Sequence, residues 1–176
     1  MRYLITGILT EEHINQALAL GAHAVGIDFT VTVDESSIEG LREIIKKLPP
    51  FVAKVGIFKD LPRYQVEELI TFLDLDTLIF CGQEDNEYLK RWYGQKIIKK
   101  ITLETTNNAV LDDLVDAYLV DYSNLKHSTD KITKPLIIST NNTEEFLFAQ
   151  KFAPWAVQVL RGTPLYNDFL NGRVQT

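Results

Sequence analysis

Apolar and polar positions alternate along this chain in a regular long-range rhythm. Short runs rich in Val, Ile, Leu and Phe occur at 3–6, 24–29, 51–58, 77–81, 96–101, 117–121, 136–139 and 156–160. Near-continuous apolar runs of this length suit parallel strands buried on both faces. The stretches between them carry a helical period. Leu41, Ile44, Ile45 and Leu48 fall at i, i+3, i+4 and i+7, as do Val66, Leu69, Ile70 and Leu73. Ser36-Ser37-Ile38-Glu39 has capping-box spacing before the first of these stripes, and Asn142-Thr143-Glu144-Glu145 repeats it later. Pro62 stands where the first turn of a helix tolerates proline.

Each amphipathic helix needs a sheet to cover, and each buried strand needs helices outside it, so the alternation predicts an α/β fold. Eight strands in strict alternation favour a closed (β/α)₈ barrel. An open five-stranded sheet would leave several apolar runs unassigned. Barrels of this kind usually take roughly 250 residues, whereas 176 residues here allow an average of 22 per unit. The saving is expected at 122–134, a polar segment containing His127-Ser128-Thr129-Asp130-Lys131 and no apolar stripe. The sixth helix should therefore be missing or reduced to one turn. No linker, repeat or low-complexity stretch divides the chain, so residues 1–176 are expected to form one domain.

Composition changes this picture little. The chain is 45% hydrophobic and 24% charged, ordinary for a globular domain. A net charge of -6 without a Lys/Arg-dense block argues against nucleic-acid backbone binding. No apolar run approaches the ~20 residues that span a bilayer, so no membrane partner is expected. Cys81 is the single cysteine, which excludes an internal disulfide, and the N-terminus lacks a signal-peptide pattern. Both point to a cytoplasmic protein. His13, His23 and His127 have no metal-ligand spacing, and there is neither a P-loop nor a GxGxxG, so no metal or other cofactor is expected. Trp92 and Tyr93 read as packing residues, because no basic groove accompanies them. A small-molecule ligand is the remaining partner class, and the pattern is silent on oligomeric state.

Three segments carry a resemblance: Leu4-Ile5-Thr6-Gly7, Gly21-Ala22-His23-Ala24-Val25-Gly26, and the stretch from Pro49-Pro50 through Lys54-Val55-Gly56-Ile57-Phe58. Together they resemble phosphoribosylanthranilate isomerases of tryptophan biosynthesis, and the likeness runs from Leu4 to about Phe169. The resemblance implies a barrel with its site at the C-terminal strand ends. It also implies an Amadori rearrangement of an aminoaldose phosphate to an aminoketose phosphate. In that family an acid opens the ribose ring to a Schiff base and a base removes the adjacent proton. A cysteine before the first-strand glycine is the base, and an aspartate ending strand six is the acid.

Here Thr6 occupies the cysteine position, either as a catalytic group or as a hydrogen-bonded strand terminus. Threonine has no accessible titration, so proton transfer through it would need a neighbouring base. Asp121 matches the aspartate, either as acid or as a cap on the amides of the following turn. Asp28 stands at a usually apolar position, as a second carboxylate or facing a helix N-terminus. Cys81 replaces a histidine, as a buried apolar residue or a reactive thiol. Lys54 and Lys99 match family positions within strands three and five, with their direction open. The family's phosphate turns follow strands seven and eight. Ser139-Thr140-Asn141-Asn142 lacks their glycine pair, and in Gln158-Val159-Leu160-Arg161-Gly162 only Gly162 matches. Arg161 and Gly162 are the substrate-binding candidates, with Arg161 as a compensating charge. The segment 30–37 lacks the family's basic residue. The expectation is a divergent member with lost or altered isomerase activity. The alternative is an active isomerase using Asp121 with a relocated base.

Overall fold

The computed structural model describes residues 1–31, 35–90, 92–102, 109–125 and 132–174. Eight strands run β1 (Arg2–Thr6), β2 (Ala24–Asp28), β3 (Ala53–Phe58), β4 (Thr77–Phe80), β5 (Lys96–Lys100), β6 (Ala117–Asp121), β7 (Leu136–Thr140) and β8 (Ala156–Leu160). Each pairs in parallel with the next, and β1 pairs with β8, so the sheet closes into a barrel. Outside lie α1 (Glu11–Ala19), α2 (Glu35–Ile45), α3 (Arg63–Leu73), α4 (Asn86–Leu89), α5 (Ala109–Asp112), α6 (Thr143–Ala149) and α7 (Pro164–Leu170).

The helical stripes face the sheet as their period requires. Leu41, Ile45, Val66 and Leu73 are buried, with Ile44, Leu48, Leu69 and Ile70 packed beside the same clusters. Asn142 caps α6 by accepting from the Glu145 amide at 2.9 Å, and Glu145 reaches back to the Asn141 amide at 2.8 Å. The serine pair behaves differently. The second helix already begins at Glu35, so Ser36 and Ser37 lie inside its first turn. The third strand starts at Ala53, not Phe51. The Pro49-Pro50 turn closes with the Val52 amide on the Pro49 carbonyl at 3.0 Å and leaves Phe51 96% exposed.

The economy in length is spread wider than the sequence suggests. Within 122–134 the described residues carry one 3₁₀ turn, Tyr122–Asn124, while 126–131 lie outside the described residues. The fourth helix is also only four residues, and the fifth has four among the described residues. In place of a long fourth helix, Phe58, Phe80, Tyr88 and Trp92 form an aromatic cluster of tilted and edge-to-face rings with neighbouring centroids 5.5–5.9 Å apart. Trp92 therefore packs as expected, but Tyr93 is 86% exposed. Inside the barrel a separate cluster of Leu4, Val55, Ile57, Ile79, Ile98 and Leu119 marks which alternate residues point to the axis.

Candidate active site at the barrel mouth

Alternation along the strands decides what enters the mouth. Thr6, Cys81, Lys100 and Asp121 each lie two residues beyond an axis-facing residue (Leu4, Ile79, Ile98, Leu119), and Asp28 lies four beyond Ala24. All five therefore face the C-terminal end of the barrel. The four carboxylate, thiol and hydroxyl candidates from the sequence are gathered there, and Lys100 joins them.

Thr6 is a strand terminus held on every side. It is 1% exposed, its Oγ1 accepts from Gln158 Nε2 at 3.3 Å, and its carbonyl accepts from the Arg161 amide at 2.9 Å. Opposite it stands Gly26, where a Cβ would sit 2.7 Å from Thr6 Cγ2. The Thr6 hydroxyl has no titratable partner among these contacts.

Asp121 makes no side-chain cap on the following 3₁₀ turn. Its Oδ2 instead meets Lys100 Nζ at 2.9 Å, with both side chains about a third exposed (35% and 39%). An ammonium and a carboxylate thus stand side by side in the mouth. Lys100 escapes sequence reasoning because Ile97-Ile98-Lys99-Lys100 shows no alternation, so the strand's inward parity is not readable from residue types. Lys99 has the opposite parity. It is 8% exposed, and its Nζ donates to the Gly82 carbonyl at 2.6 Å and pairs with Glu84 Oε2 at 2.5 Å, away from the axis. Lys54 pairs with Asp74 and lies 3.9 Å from Asp76, at the opposite end of the barrel from the mouth.

Asp28 Oδ1 accepts from both the amide and hydroxyl of Thr30, at 2.8 and 2.6 Å. These local bonds tie the carboxylate to its own loop. Burial pushes the Cys81 thiol up to about 11, with the positive field of Lys100 acting in the other direction. A thiol so placed stays protonated near neutrality and is no nucleophile there.

At the eighth strand, Arg161 is partly buried, not a solvated surface charge. Its Nε is enclosed with no hydrogen-bond partner among the described residues. The residue lies close enough to His13 and Tyr166 to act on both; burial first, then Arg161, lowers the His13 pKa. Gly162 takes a left-handed φ of +85° and Gly7 one of +84°, conformations that favour glycine and turn the two loops beside each other. Ser139 and Thr140 end β7 with side chains on the backbone, and Thr140 is fully buried. Of the segment 30–37, residues 32–34 lie outside the described residues. Among the described residues no cluster of His, Cys, Asp or Glu is arranged to hold a metal ion, and no helix is long and apolar enough to cross a membrane.

Comparison with known proteins bears on this arrangement. A family model described as N-(5'phosphoribosyl)anthranilate (PRA) isomerase matches residues 3–165. The chain is 38% identical over 101 residues to the N-(5'-phosphoribosyl)anthranilate isomerase of Moorella thermoacetica, 57% of this chain but only 45% of that protein. It is 29% identical over 184 residues to the enzyme of that name from Stutzerimonas stutzeri, covering 92% and 87% of the two chains. In three dimensions it is similar to phosphoribosyl anthranilate isomerase from Thermus thermophilus, with a TM-score of 0.77 over 97% of this chain and 95% of that one, at 23% identity.

Proposed function

We propose, from the premise that this chain belongs to the phosphoribosylanthranilate isomerase family, that its mouth keeps the acid side of the isomerase site and has lost the base side. Its activity on phosphoribosylanthranilate is then feeble or redirected to another small phosphorylated amino sugar. The observation that carries this reading is Thr6. In the family's base position stands a hydroxyl that is 1% exposed and occupied by Gln158. The Cys81 thiol in the same mouth does not replace it, since burial holds that thiol neutral.

The acid side has what ring opening asks for. Proton delivery to a ribose ring oxygen needs a donor at the strand ends, and the Lys100–Asp121 pair places an ammonium and a carboxylate together there. Loss of a general base costs ~10²–10⁴ in rate. Purified protein should therefore turn over phosphoribosylanthranilate that much more slowly than a relative bearing the cysteine. Rescue of a tryptophan auxotroph lacking the isomerase, at normal expression, would contradict the proposal.

One observation favours the second reading, an active isomerase with a relocated base. Asp28 shares the mouth, and its Thr30 bonds fall on a single oxygen, Oδ1. Asp28 Oδ2 would then take the proton. Under this reading Asp28→Asn removes turnover, whereas under the first it changes little.

A further inference from the structure

At the other end of the barrel the side chains are too small to fill it. Parallel eight-stranded barrels pack their interior with bulky branched residues. Here Ala24, Ala53, Thr77, Ala117 and Ala156 line the N-terminal end, and the first bulky layer lies deeper, at Leu4, Val55, Ile98 and Ile137. The result is a bowl of about 300 Å³ opening on the face opposite the mouth. An apolar cavity of about 150 Å³ accommodates benzene, so this one has room for two fused rings.

The rim supplies a sign. Lys96 is neutralised by Asp116 at 2.9 Å. The Arg2 guanidinium lies 4.7 Å from the centroid of the Trp155 ring and has no carboxylate partner among the described residues. Trp155 itself is 48% exposed. A flat indole and an unneutralised guanidinium at the edge of an apolar bowl match a planar molecule carrying one negative charge. We propose that this bowl is a binding site for an aromatic anion of one or two rings, distinct from the site at the strand C-termini.

The test uses 2-naphthoate as probe, 2-naphthylmethylammonium as its cationic counterpart, and titration calorimetry on the whole chain. The naphthoate should saturate one site per chain, and the ammonium should bind about three- to fivefold more weakly, the size of an exposed charge contribution. Arg2→Gln, at an exposed position, should remove that preference and leave the fold intact. Ala117→Leu and Ala156→Leu fill the bowl and should each cut naphthoate binding about tenfold or more, the loss expected when a ligand's apolar surface is denied its pocket. Circular dichroism checks their folding, and Ala24→Val is the smaller filling change if either fails. The proposal is overturned if naphthoate shows no saturable binding, if the filled variants bind unchanged, or if charge makes no difference. It is overturned equally if sedimentation shows a dimer that Ala117→Leu abolishes, because a second copy would then occupy the bowl.

Discussion

Cys81 shows how completely a neighbourhood can set a residue's chemistry. Its sulfur stands in the mouth two positions beyond Ile79, yet burial raises its pKa to about 11. The thiolate is the reactive form. Alkylation by iodoacetamide, followed by mass spectrometry, should therefore be slow at pH 7.5 and still accelerating at pH 10. A plateau below pH 9 would show an accessible, ordinary thiol. Lys100→Met removes a charge that lowers this pKa, so the profile should move to higher pH. Gly26 is a second residue-scale constraint. A methyl there meets Thr6 Cγ2 at 2.7 Å, between paired strands that cannot separate. Gly26→Ala should cost ~1–3 kcal/mol, and Thr6→Ser, which deletes that Cγ2, should recover part of it in urea midpoints. Thr6→Cys by itself should restore little isomerase activity, because Ser139-Thr140-Asn141-Asn142 still lacks the glycine pair of the family's phosphate turn.

At the scale of elements, the loops after the third and fourth strands are tied into one unit by Glu84. Its carboxylate accepts from the amides of Asp60 at 2.9 Å and Gly82 at 3.0 Å and pairs with Lys99, while its side chain is 2% exposed. Removing one member of such a pair strands the other's charge out of water, which costs ~3–5 kcal/mol. Glu84→Gln should thus lower stability by about that much in chemical denaturation. Adding Lys99→Met should cost far less than the two single losses together, since no orphan charge remains. Additive losses would mean the two groups do not act as a pair. The last-but-one helix offers a smaller, cleaner case. Asn142→Ala deletes its cap and should cost ~1 kcal/mol in chemical denaturation.

For the whole molecule, stability is divided between an inner cluster along the axis and two outer clusters between strands and helices. The outer cluster around Phe80 matters most where the helices are shortest. Phe80 is fully buried and touches Phe58, Tyr88 and Trp92, which together do the covering that a four-residue helix cannot. Phe80→Ala should therefore cost ~3–5 kcal/mol. A loss under 1 kcal/mol would place the support for this side of the barrel elsewhere.

The sequence by itself determined the architecture. Strand and helix periods are local, so eight apolar runs alternating with helical stripes leave little choice but a closed barrel, and Thr6-Gly7, Asp28, Cys81 and Asp121 could be placed at strand ends by counting. What it left open were matters of direction and partnership, which local pattern does not encode. Ile97-Ile98-Lys99-Lys100 reads the same whichever lysine points inward; only closure of the barrel turned Lys100 toward Asp121 and Lys99 toward Glu84. Asp121 is equally suited to capping a turn or to pairing, and the lysine opposite decided between them. Arg161 reads in the chain as a compensating charge, and only the fold encloses its Nε. The alanines at the N-terminal end are ordinary strand residues in the chain, and they became a bowl only when parallel register set them in one ring.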